Sequence, residues 1–168
     1  TVQTTMKKYN KMTQTKSDTP RTFTIRPALA DDHTAISALW LKGSLQAHPF
    51  VAATYWKEQL HTMSNDYLPS CECWVLEADH EILGFSAMHD DELSALFVHA
   101  DRQGQGYGVA LLNHAKQLRP LLWLAVYEQN QRALLFYQQQ GFRNEKRQRC
   151  ENTQVWEWVM RRKDKDND

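Results

Sequence analysis

Apolar positions recur along this chain with two different periods. Residues 22–26 alternate with the two-residue period of a half-buried strand, and Pro27 closes it. Ala35, Ile36, Leu39 and Trp40 then share one face of a helix that Asp31 or Asp32 can cap, with Gly43 near its end. His48-Pro49-Phe50 breaks the pattern, and Tyr55, Trp56 and Leu60 line one side of a second helix, about 52–63. Strand periodicity returns at 73–77 and 82–88, a hairpin turning at Ala78-Asp79-His80, and again at 92–98. A helix over 105–118 follows and is stopped by Pro120. Residues 121–127 form a continuous apolar run, which predicts a strand buried on both faces. Asn130 is a good N-cap for a helix carrying Ala133, Leu134, Phe136 and Tyr137, and Gly141 stands at its C′ position. Strands at 142–150 and 154–160 complete the order.

That order, β-α-α-β-β-β-α-β-α-β-β, predicts a mixed α/β domain with about six or seven mostly antiparallel strands. One β-α-β step is a parallel crossover, expected to be right-handed, with its ligand beyond the strand ends. At 168 residues the chain has room for one domain with a real core. The expected boundaries are a disordered leader at 1–21, a folded domain at 22–160 and a charged tail at 161–168.

Charge changes this picture little. The net charge is zero, which gives no global pull toward nucleic acid or an acidic membrane. The leader is basic, with Lys7, Lys8, Lys11, Lys16 and Arg21 against Asp18 alone, and leaves the rest weakly acidic. Three cysteines (Cys71, Cys73, Cys150) without metal-ligand spacing read as reduced thiols of a cytoplasmic protein. None of the seven histidines forms an H-x-x-x-H or Cys/His cluster, so the sequence implies no metal. No apolar run approaches the ~20 residues of a membrane-spanning helix.

The chemistry concentrates at Gln103-Gly104-Gln105-Gly106-Tyr107-Gly108, which holds three of the six glycines. A strand that turns through glycines into a helix N-terminus makes an anion cradle, because the first helical N–H groups lack intrahelical partners. A glycine turn with no ligand is the plainer reading. The Rossmann spacing fails, since Val109 or Leu111 stands where its third glycine belongs, and no Gly-Lys-Ser/Thr follows for a Walker loop.

Gln103-x-x-Gly106-x-Gly108 does match Q/R-x-x-G-x-G/A. There the chain resembles the GNAT superfamily of acetyl-CoA-dependent N-acetyltransferases. Asn130-x-x-Ala133-x-x-Phe136-Tyr137-x-x-x-Gly141-Phe142 resembles a second GNAT segment, and the likeness spans about 22–160. It implies that Gln103, Gly104, Gln105, Gly106, Tyr107 and Gly108 bind the CoA pyrophosphate, and that Asn130, Ala133 and Tyr137 also contact the cofactor. It also implies a bulged strand 92–98, splayed from strand 121–127, whose backbone at Leu96, Phe97 and Val98 meets the pantetheine arm. Tyr137 would protonate the departing thiolate, a task that suits a phenol of pKa ~10. Seven residues into its helix, it lies about 10 Å from the helix start. Core packing is the plainer reading of this tyrosine.

Glu92 is the residue nearest where some family members place a general base, and a solvated acidic turn is its bland alternative. His48 and Phe50 fall between the first two helices, which wall the acceptor site in many GNATs. They either contact the amine or terminate one helix and anchor the next. The segment Ala47 to Val51 with Tyr55-Trp56 resembles the YiaC- and YjaB-like stand-alone GNATs of bacteria, a subgroup associated with lysine side-chain acetylation. The resemblance thus implies acetyl transfer by direct attack of a primary amine, on a protein lysine or a small molecule, by a monomer or homodimer. An aminoacyl-tRNA acceptor and a non-catalytic acyl-CoA-binding module remain as other readings, the former disfavoured by the neutral chain.

Overall fold

The computed structural model describes residues 22–162; the basic leader and residues 163–168 lie outside them. A seven-stranded sheet runs in the order β1-β2-β3-β4-β5-β7-β6. Its strands are β1 (Thr24–Pro27), β2 (Glu72–Ala78), β3 (Glu81–His89), β4 (Glu92–Val98), β5 (Trp123–Tyr127), β6 (Phe142–Arg149) and β7 (Trp156–Arg162). All neighbours are antiparallel except β4 and β5. Helices α1 (His33–Ala47) and α2 (Ala53–Thr62) precede β2, α3 (Tyr107–Leu118) joins β4 to β5, and α4 (Gln131–Gln139) joins β5 to β6.

Local chemistry explains most of the boundaries. Asp79 and His80 both adopt positive φ (53° and 61°), which closes the β2–β3 hairpin with the twist its strands require. The Asn130 side-chain oxygen accepts from the Ala133 N–H and caps α4, while Gly141 (φ 92°) ends it.

Some expectations shift. Helix α2, expected to end near residue 63, continues through a π-helical turn (Met63–Tyr67) and one further turn (Leu68–Ser70). Burial of Met63 and Leu68 in the core holds this extension in place. Strand β5 starts at Trp123, because Leu121 is 72 % exposed in the turn after Pro120. Nor is β5 buried on both faces. Leu124 and Val126 are buried, while Trp123, Ala125 and Tyr127 are half-buried. Strand β7 runs two residues past the expected end, pairing Arg161 and Arg162 with β6.

Apolar packing lies on both faces of the sheet. One cluster gathers Met88, Leu93, Leu112, Leu124, Val126, Leu134, Tyr137 and Phe142 beneath α3 and α4. Another gathers Ile36, Met63, Val75, Phe85, Ala87 and Ala95 beneath α1 and the extended α2. Gly43 permits the close approach of α1 to β4, since a Cβ there would stand 2.3 Å from Cδ1 of Phe97. Among the described residues, no helix is long and apolar enough to cross a membrane, and no three His, Cys, Asp or Glu side chains group to hold a metal.

Candidate active site

Strands β4 and β5 begin together and then part. Their only paired position is Glu92 with Trp123, where the Trp123 N–H donates to the Asp91 carbonyl at 3.0 Å. Strand β4 also carries a bulge. Ala87 of β3 faces Ala95 and Met88 faces Leu93, so Ser94 is the extra residue, its hydroxyl donating to the Ala87 carbonyl at 3.1 Å. Beyond it, Leu96, Phe97 and Val98 pair with β3 on one edge only. The other edge faces the gap toward β5 and presents backbone groups that need a partner.

The glycine loop opens at the far end of β4. Gly104 (φ 77°) and Gly106 (φ 84°) hold the left-handed backbone that other residues resist, and a Cβ on either would meet nothing within 4 Å. Gly106 is the N-cap of α3 and offers no side-chain cap, so the first N–H groups of the helix remain without a side-chain acceptor. Gln103, Gly104 and Gln105 are exposed. Gln103 Nε2 donates back to the Val98 carbonyl at 3.4 Å. The Tyr107 ring, by contrast, is 4 % exposed and packs edge-on to Phe23, so only its backbone can serve a ligand. This wall of open space, backbone donors and helix dipole fits a pyrophosphate, and the unpaired β4 edge fits an amide-bearing arm.

Tyr137 and Glu92 lie on opposite faces of the sheet, Glu92 at the paired position from which β4 and β5 part and Tyr137 in the cluster that holds Leu93 of β4 and Val126 of β5. Tyr137 is 9 % exposed among Leu93, Val126 and Phe142 on the α3/α4 face. Burial alone pushes its phenol well above the ordinary tyrosine value. Glu92 shares the opposite face with its partner Trp123. Burial raises its carboxyl, His89 opposes the shift and Glu157 adds to it. No salt bridge engages Glu92 among the described residues.

His48 and Phe50 meet at the end of β5. The His48 ring lies 4.9 Å from Tyr127, 5.1 Å from Trp56 and 5.7 Å from Phe50, and Phe50 lies 5.5 Å from Tyr127. Desolvation in this aromatic cluster lowers His48 to about 4, so the ring is neutral at pH 7. Its Nε2 approaches Asn130 Nδ2 at 3.5 Å, and its Nδ1 is buried without a partner.

Sequence reading missed Tyr127 and Glu157 as candidates for this wall, and named Trp56 only as part of its segment. Tyr127 closes the wall, with its hydroxyl 3.3 Å from Thr153 Oγ1 and 3.7 Å from Cys150 Sγ. Glu157 faces Tyr127 across β5 and β7, and its Oε1 accepts from Gln148 Nε2 at 3.0 Å. The signal was parity. Trp123, Ala125 and Tyr127 share the face opposite Leu124 and Val126, which a continuous apolar run hides.

Known proteins share this fold. The acetyltransferase (GNAT) domain family matches residues 69–144. The peptidyl-lysine N-acetyltransferase YiaC of Escherichia coli (strain K12) is 38% identical over 137 residues, 81% of this chain and 94% of its own. The solution structure of apo YjaB from Escherichia coli superimposes with a TM-score of 0.75 at 26% identity, covering 84% of this chain and 97% of YjaB. The PaiA N-acetyltransferase from Thermoplasma acidophilum, solved with coenzyme A, shares the fold with a TM-score of 0.72 at 17% identity, covering 85% of this chain and 99% of its own. The chain belongs to the GNAT family and is an acetyl-CoA-dependent N-acetyltransferase.

Proposed function

We propose that this enzyme acetylates lysine side chains of proteins, with Tyr137 as general acid and Glu92 as general base. The observation that carries the reading is the β4–β5 gap, with Glu92 at the position from which the strands part and Tyr137 on the opposite face of the sheet. The lysine acceptor is supported by the relative at 38% identity, named a peptidyl-lysine N-acetyltransferase.

Acetyl-CoA supplies an activated acetyl thioester. The loop Gln103 to Gly108 and the N-terminus of α3 hold its phosphates, and the free edge of Leu96 to Val98 orients its amide arm. Asn130 and Ala133 hold the start of α4 at the same end of the sheet, which sets Tyr137 against the gap. Burial keeps the Tyr137 proton in place at neutral pH. The same burial makes a bare thiolate costly, so the departing sulfur takes the proton as its bond to carbon breaks. On the other face, Glu92 accepts a proton from the incoming ammonium, directly or through one water. Its raised carboxyl is a stronger base than an exposed glutamate. His48, Phe50, Trp56 and Tyr127 form an apolar wall for the methylene stem of lysine. Fixing both reactants in one gap replaces a bimolecular encounter.

The test is CoA thiol release from acetyl-CoA with lysine peptides, N-terminal peptides, polyamines and aminoglycosides. Release with lysine peptides above the rest is expected. Turnover confined to another amine class would overturn the lysine acceptor, and acetyl-CoA binding without turnover on any amine would overturn the catalytic roles.

A further inference from the structure

Charge is segregated in this domain. Residues 22–142 carry seven Lys and Arg against thirteen Asp and Glu, whereas residues 143–162, the β6–β7 hairpin, carry six against three. The hairpin forms one edge of the sheet, and its basic side chains have a defined placement relative to the acceptor gap.

Three rows of paired residues cross from β5 over β7 to β6 on the face that carries Glu92. They are Trp123–Arg161–Arg143, Ala125–Val159–Lys146 and Tyr127–Glu157–Gln148. The Arg161 guanidinium lies 5.8 Å from the Trp123 ring centroid, as side chains on one face should. Helix α1 packs on β3 and β4, and leaves Arg143, Lys146 and Arg161 exposed at the outer part of this face. Glu145 pairs with Arg161 at 2.9 Å. Among the described residues, Arg143 and Lys146 form no salt bridge. Charge on an edge strand also discourages pairing between sheets, but either sign serves that purpose. A bias toward cations in an otherwise acidic domain is a different property.

We propose that Arg143 and Lys146 dock acidic side chains flanking the acceptor lysine, so that the enzyme selects lysines in acidic segments of its protein substrates. The inference rests on the lysine reading above. Two strand spacings separate β5 from β6, about 10 Å. An extended peptide covers that span in about three residues. Acidic residues about three positions from the target lysine therefore reach Arg143 and Lys146 when the lysine enters beside β5. The inner rows hold Glu157 and Glu92 for the cationic amine, and the outer positions hold cations for its flanks. A substrate with one lysine among acidic residues matches both signs.

The test compares two lysine peptides that differ only at positions three residues either side of the lysine, with Glu in one and Ser in the other. The parent enzyme is expected to favour the Glu peptide roughly tenfold in kcat/KM at low salt, mostly through KM, with the preference fading as salt rises. Arg143→Glu/Lys146→Glu should reverse the preference, and Arg143→Gln/Lys146→Gln should abolish it. Turnover of the Ser peptide should stay within twofold in both variants, which shows that they fold. Equal kcat/KM for the two peptides in the parent, or a preference that survives both variants, would overturn the docking site while leaving lysine acetylation intact. Turnover of a small amine with neither peptide acetylated would overturn the lysine reading and the docking site together.

Discussion

Replacing Tyr137 by Phe should separate stability from catalysis. The substitution removes one oxygen and leaves the ring among Leu93, Val126, Leu134 and Phe142. Burial alone shifts this phenol, with no hydrogen-bonding or charged neighbour acting on it. The hydroxyl is not among the fully buried unpartnered polar atoms of the described residues, so its removal breaks no bond within the fold and sheds at most part of the roughly 1–3 kcal/mol that a buried unpaired hydroxyl costs. Tyr137→Phe should therefore be neutral or stabilising by up to about 1 kcal/mol, a rise of up to roughly 4 °C in Tm for a domain of this size. Loss of a general acid lowers turnover by about 10²–10⁴, equivalent to roughly 3–5 kcal/mol of transition-state stabilisation. Initial rates of thiol release, thermal unfolding and acetyl-CoA calorimetry on the same preparation give the three readouts. The expected pattern is kcat down at least a hundredfold, Tm unchanged or higher, and acetyl-CoA affinity within about threefold of the parent. A kcat within threefold of the parent would refute the acid role. A Tm lower by several degrees would show that the hydroxyl is bonded within the fold and that the packing argument fails.

Three further outcomes follow from the site. Glu92→Gln should lower kcat/KM by about a hundredfold, and in the parent enzyme the rising limb of kcat/KM should lie above the ordinary glutamate range, since burial raises this carboxyl; a limb unchanged in the variant would assign it to another group. A folded pKa above the unfolded value means that ionisation of Glu92 opposes folding, so its contribution is present below the unfolded pKa and lost as pH rises, and Glu92→Gln should not lower Tm at pH 7. Gly106→Glu should abolish acetyl-CoA binding by placing bulk, a negative charge and a strained φ of 84° at the phosphate cradle. Gly106→Ala should cost only about 1–2 kcal/mol of stability, and retained calorimetric binding in the Glu variant would rule out the loop. His48, lowered to about 4, stays neutral where the unfolded histidine protonates, so its contribution is complete above about pH 6.5 and falls away toward pH 4. The parent should lose roughly 3 kcal/mol over that window that His48→Gln does not lose, and parallel Tm profiles for the two proteins would refute this.

Local signals in the sequence determined the element order, the glycine turns and the caps of α4, because each depends on residues a few positions apart. Gln103-x-x-Gly106-x-Gly108 specified a glycine turn into a helix for the same reason, since positive φ and free helical N–H groups are properties of that segment alone. The chain pattern also placed Tyr137 on a helix that starts beside the loop. Where local chemistry and burial disagree, the sequence was a poor guide. Apolar periodicity ends α2 near residue 63, yet the helix continues to Ser70, because Met63 and Leu68 are held in the core. Leu121 looks like core and is exposed, because Pro120 turns the chain before β5 enters the sheet.

Tertiary structure alone decided the gap and what surrounds it. Ser94 becomes a bulge only through its register with β3, and β4 leaves β5 after Glu92 because of how each strand pairs on its other side. Tyr127, Trp56, His48 and Phe50 are separated by up to 79 positions, and only folding closes them into one wall. Glu157 and Lys146 join the face that carries Glu92 and Tyr127 through the ladder β5-β7-β6, a non-sequential strand order that no local pattern encodes. The physical reason is the same in each case. Periodicity reports which side of an element is buried, whereas chemistry here depends on which elements fail to pair.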